Sequence, residues 1–187
     1  MPDPTPVPAA FAPIQLSGTG SSVPTFAIPE DAVGIATITY SGGGNFAVWS
    51  VDSAGSQTDL LVNTIGAYSG SVLFDEQGHS VAFSVEASGR WTIVIKPIEH
   101  ARKWTQASNL TGTGDDVVML DPGTSGLATS VFAHQGSGNF AVWSYSSSGV
   151  ELLVNEIGAY SGEVLLGAGT LLFEITADGP WSMTPPQ

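Results

Sequence analysis

Apolar and polar residues alternate along this chain in short runs separated by turn residues. Within Ser80–Glu86, the side chains Val81, Phe83 and Val85 fall on one face, and Trp91, Ile93 and Ile95 repeat the pattern after the next turn. A period of two is the mark of a strand with one buried face. Residues 33–40 are rich in β-branched side chains, and in 45–51 Phe46 and Val48 alternate with Ala47, Trp49 and Val51. Late in the chain Leu171, Phe173 and Ile175 alternate in the same way. Turns are marked by residues 41–44, 53–55, 77–78, 88–89 and 178–180, all carrying glycine. No stretch shows a sustained helical stripe with caps. Strands recurring every ~8–12 residues predict a sandwich or barrel. The aromatic positions Phe46, Phe140, Trp49, Trp143, Trp91 and Trp181 are expected in the cores, although Trp49 and Trp143 alternate with Phe46 and Val48, so that either face of their strand fits the core.

The chain also repeats itself. GNFAVWS occurs at 44–50 and 138–144, LLVN at 60–63 and 152–155, and IGAYSG at 65–70 and 157–162. Gly18 and Gly20 match Gly112 and Gly114, and Trp91 matches Trp181. The offset stays between 90 and 94 residues. Solenoid repeats are shorter, about 20–50 residues, so this is a duplicated domain. The predicted fold is all-β: two tandem antiparallel β-sandwich modules, jelly-roll-like, from an internal duplication. Seven or eight strands are expected in each. The expected boundaries are an extended Pro-rich arm at 1–13, module one at 14–97, a basic linker at 98–107 and module two at 108–187.

Composition narrows the functional classes. Only 11% of the 187 residues are charged and the net charge is -13, against a typical charged share of about 25%. With four Lys and Arg in all, nucleic-acid binding is not expected, because it requires neutralised phosphates. An anionic membrane surface would repel the chain, and no membrane partner is expected. All four bases, Arg90, Lys96, Arg102 and Lys103, lie within 90–103. That placement suggests a solubilising junction or a basic seam, with Arg102 and Lys103 meeting acidic faces of its own or neighbouring modules. The first residues, with Pro2, Pro4, Pro6 and Pro8 before Phe11, suggest a polyproline-like arm, either a loose terminal linker or a segment laid along a partner. They have neither the basic nor the apolar region of a secretory signal, so synthesis without export is the expectation.

Chemistry finds little footing. Cys is absent, which removes disulfides and thiolate chemistry. Of the acids, Asp59 and Glu151 alone occupy matched positions; Asp115 matches Ser21, and Asp52 matches Ser146. His79, His100 and His134 have no zinc-ligand spacing. Nothing resembles a nucleophile elbow or a phosphate loop. No catalytic residue, metal or cofactor is expected. The matched polar residues Asn45, Asn63 and Tyr68, with Asn139, Asn155 and Tyr160, are candidate ligand loops, although turn chemistry explains Asn beside glycine equally well.

The pattern of Gly18/Gly20, Asn45–Ser50, Leu60–Asn63, Ile65–Gly70 and Trp91, present twice, resembles a small β-sandwich repeat of uncharacterised actinobacterial and actinobacteriophage proteins. The resemblance spans nearly all of 14–187. It implies the fold and transfers no catalytic residue. From these readings the expected function is a non-enzymatic structural or interaction protein. The leading expectation is a virion surface accessory of a phage, a capsid decoration or a head or tail accessory, made in the host cytoplasm. Its partners would be capsid or tail proteins or further copies of itself as a homo-oligomer. The alternative is a tandem carbohydrate-binding or adhesion module at a bacterial cell surface.

Overall fold

The computed structural model describes residues 11–30, 32–75 and 79–187. The arm prolines Pro2, Pro4, Pro6 and Pro8 lie outside the described residues. The protein is all-β and forms two units. The first comprises the residues up to Ser69 and Leu73–His100; the second comprises Gly70–Val72 and Ala101–Gln187.

In the first unit the strands are β1 (Ile14–Thr19), β2 (Gly34–Tyr40), β3 (Asn45–Asp52), β4 (Gln57–Ile65), β5 (Tyr68–Phe74), β6 (Ser80–Glu86) and β7 (Arg90–Pro97). They form one sheet in the order β1-β7-β2-β5 and another in the order β4-β3-β6. A short 3-10 turn, Ile98–His100, follows. The second unit carries β8 (Arg102–Trp104), β9 (Leu110–Thr113), β10 (Asp116–Leu120), β11 (Ala128–His134), β12 (Asn139–Ser146), β13 (Gly149–Ile157), β14 (Tyr160–Leu166), β15 (Thr170–Ala177) and β16 (Pro180–Met183). Its sheets run β14-β11-β16-β9 and β13-β12-β15-β10-β8. The duplication is therefore structural: β1-β7-β2-β5 and β4-β3-β6 reappear as β9-β16-β11-β14 and β13-β12-β15.

The repeat is broken at two places. Beside β15 lies the regular strand β10. Beside β6 the first unit has only isolated bridges at Ser22 and Thr25. Pro24 stands where the second unit has Val118, and proline cannot donate to a ladder. The second break is β8, which pairs parallel with β10. Residues 102–104, read from the sequence as linker, are thus an edge strand of the second unit.

Each core is closed by both sheets. In the second unit Phe132 and Trp181 from one sheet meet Phe140 and Phe173 from the other in a single buried cluster. Phe132 and Phe173 pack edge to face at 6.0 Å, a favoured aromatic geometry. The first unit places Phe74 against Phe83 at 5.4 Å. The matched tryptophans repeat one arrangement. Trp91 Nε1 donates to Gly20 O and Trp181 Nε1 donates to Gly114 O, both at 2.9 Å. A Cβ at Gly18 or Gly112 would collide with the indole in its own unit, which explains the repeated glycine.

Three expectations about the core are corrected. Trp49 and Trp143 are not core residues: Trp49 is half-buried and Trp143 is 38% exposed. Leu171 does not share the buried face of Phe173 and Ile175. The pairing with β12 shifts between Leu172 and Thr170, and the resulting irregularity turns Leu171 outward.

Candidate functional site

The β3–β4 and β12–β13 hairpins carry the same outward face. Antiparallel pairing sets Asn45 opposite Ile65, Ala47 opposite Asn63 and Trp49 opposite Leu60. In the second unit Asn139 faces Ile157, Ala141 faces Asn155 and Trp143 faces Leu152. Phe46, Val48 and Ser50, and their counterparts Phe140, Val142 and Ser144, take the other face and are buried. Period two alone would put Leu60 on the buried side. Both hairpins contain a bulge at the same point, between Val48/Trp49 and between Val142/Trp143. Leu61 and Leu153 are the extra residues, and the shift re-aims Leu60 and Leu152 beside the tryptophans.

The result is an apolar face with amide groups at intervals, present once per unit. Its most exposed members are Ile65, at 82%, and Ile157, at 83%. The amides of Asn45, Asn63, Asn139 and Asn155 are exposed on it. Ile65 and Ile157 are followed by Gly66 and Gly158, at φ 93° and 94°, a conformation that favours glycine. The N–H of Gly66 donates to Gly44 O, and that of Gly158 to Gly138 O, closing each hairpin end.

Tyr68 and Tyr160 do not join this face. Both are half-buried, with rings 6.2 Å from Phe46 and 5.9 Å from Phe140. Phe11 is half-buried ahead of β1. Arg102 is engaged inside the second unit: Nη1 pairs with Asp116 at 3.0 Å, Nη2 donates to Thr111 O, and the guanidinium lies 5.9 Å from the Trp181 ring centroid. Lys103 is 3.6 Å from Asp121. These bases tie β8 to acids of its own unit.

The face is held at one end by two different devices. In the first unit Tyr40 stacks on Phe46 at 4.3 Å and its hydroxyl meets that of Ser88 at 2.8 Å. In the second, His134 stacks on Phe140 at 4.6 Å and its Nε2 lies 3.2 Å from Asp178 Oδ1. His134 Nδ1 is 2.8 Å from Gly158 O, directly after Ile157. Asp178 Oδ2 accepts from the N–H groups of Gly138 and Ser137, directly before Asn139. Burial works to raise the Asp178 carboxyl; the N–H groups of Gly138 and Ser137, the His134 imidazole and the Ser137 hydroxyl outweigh it and hold the carboxyl below its usual value. A depressed folded-state value gives stability that is complete above the unfolded value and is lost as pH falls through the folded one. Acid melts in the range below about pH 4 are therefore expected to weaken the second unit less steeply in Asp178→Ser than in wild type. Parallel pH profiles for the two proteins in differential scanning calorimetry would contradict this.

A shallow groove on β9, β11 and β16 is lined by neutral groups, among them Asn109, Thr111, Gln135 and Ser182, with no carboxylate, imidazole or amine. Among the described residues no three His, Asp or Glu side chains gather as metal ligands. No helix among them is long and apolar enough to cross a membrane. In comparisons with known proteins, no protein-family model matches the chain and no curated protein matches its sequence.

Proposed function

We propose that the protein is a non-enzymatic docking protein that meets a repetitive protein surface through two equivalent faces, as a surface accessory of a virion. The observation that carries this reading is the outward Trp–Leu–Asn–Ile face, present in both units with the same register and the same bulge. Exposed isoleucines and leucines suit a protein partner, whose surface buries them. Two equivalent faces per chain suit a lattice, where both engage and avidity rises by about 10²–10⁴ over one face.

The test is quantitative mass spectrometry of purified particles and cell fractions from the native source, followed by rebinding of variants. Stoichiometric copies in the particle are expected. Ile65→Glu and Ile157→Glu are each expected to weaken rebinding by about tenfold or more, and the double variant to remove it. Both side chains are exposed, so melting temperatures should hold. A protein found in culture fluid or envelope and absent from particles would sink the virion assignment; rebinding unchanged in the double variant would sink the face. The exposed indole of Trp143, on one face with Asn139 and Asn155, favours a second reading as a sugar platform. That reading predicts retention of the protein on polysaccharide that is lost in Trp143→Ala.

A further inference from the structure

The faces described above sit on strands that end their sheets. Among the described residues β4 and β13 are each the terminal strand of a sheet, so one side of each presents main-chain N–H and C=O groups to which no described strand is paired. Proteins usually blunt such edges with lysine, proline or short length. Here each strand has nine residues and no Lys, Arg or Pro; its protection is the bulge together with Asp59 in β4 and Glu151 and Glu156 in β13. Beyond the bulge, residues 62–65 and 154–157 run regularly and end on Ile65 and Ile157.

Charge decides which strand fits. β4 carries Asp59 and β13 carries Glu151 and Glu156, while β3 and β12 contain no base. A second copy of this chain, at net charge -13, would set acid against acid across the new pairing. A strand alternating basic and apolar residues would set base against acid and cover the two isoleucines. We infer that β4 and β13 are strand-addition sites for an extended basic segment of a different protein. The inference rests on the docking reading and names how the partner is held: main-chain pairing gives affinity, and the alternate side chains give specificity.

The test uses the full chain and three synthetic decapeptides: alternating Val and Lys, alternating Val and Glu, and the Val–Lys peptide with alternate backbone nitrogens methylated. The Val–Lys peptide is expected to slow amide hydrogen exchange about tenfold within 57–65 and 149–157, with the other two peptides without effect. Equal protection by the methylated peptide would overturn main-chain pairing. Equal protection by the Val–Glu peptide would overturn the basic partner. Absence of protection with Val–Lys would overturn strand addition itself. That failure is separable from failure of the docking reading, because loss of particle rebinding in Ile65→Glu/Ile157→Glu would still stand.

Discussion

Replacing Trp181 with alanine is expected to destabilise the second unit by about 3–5 kcal/mol. The side chain is 3% exposed and belongs to the cluster that joins the two sheets of its unit. Truncation opens a cavity among rigid neighbours, and the lining loses its dispersion partners. It also removes the Nε1 donor from Gly114 O. A domain of this size has a total stability of only about 5–15 kcal/mol, so the loss is a large fraction. Trp91→Ala should cost the first unit a similar amount, because burial and hydrogen bond are repeated there. Urea denaturation of the full chain, followed by near-ultraviolet circular dichroism, would show an early transition in either variant. A shift of less than about 1 kcal/mol would mean that the indole is not a principal core element.

The second large effect comes from adding atoms. Gly112→Ala would drive a Cβ into the Trp181 ring, and Gly18→Ala would drive one into Trp91. The ring cannot withdraw without losing both its packing and its hydrogen bond. Overpacking of this kind costs about 1–3 kcal/mol, and a rigid neighbour puts the cost at the upper end. The sharper expectation is non-additivity. Once Trp181 is alanine the conflict is gone, and Gly112→Ala should become nearly neutral, since alanine suits a strand better than glycine does. A double-mutant cycle on Gly112 and Trp181 should therefore show strong coupling, and strictly additive losses would contradict the close approach.

Much of the scaffold was legible because it follows a period of two. Residues 33–40 were expected as a strand and Gly34–Tyr40 is one; Ser80–Glu86 matches throughout. What escaped reading depends on breaks in that period or on distant partners. The bulges cannot be seen locally, so Leu60 and Leu152 could not be placed beside the tryptophans. Asn45, Asn63, Asn139 and Asn155 were singled out and do share the outward faces; Tyr68 and Tyr160, chosen by the same criterion, prop the core. Asp115, matched to a serine in the first unit, caps the Ala177 N–H as Ser21 caps Ala87, and Asp178 with His134 replaces Ser88 with Tyr40. A substitution between copies therefore conserved a geometric role while changing the charge, which a filter for identical residues passes over. Arg102 and Lys103 show the reverse: a charge cluster visible at once in the sequence, whose partners Asp116 and Asp121 lie 14 and 18 residues downstream.

The repeated bulge has an evolutionary consequence. Loss of the codon for Leu61 or Leu153 would remove only the extra residue, leaving Leu60 opposite Trp49 and Leu152 opposite Trp143 on the same outward face. The hairpin therefore tolerates one residue more or less at this point without surrendering that face. Because both copies carry the extra residue at the same point, its insertion predates the duplication. A lineage can trim either copy and stay bivalent without redesigning the fold.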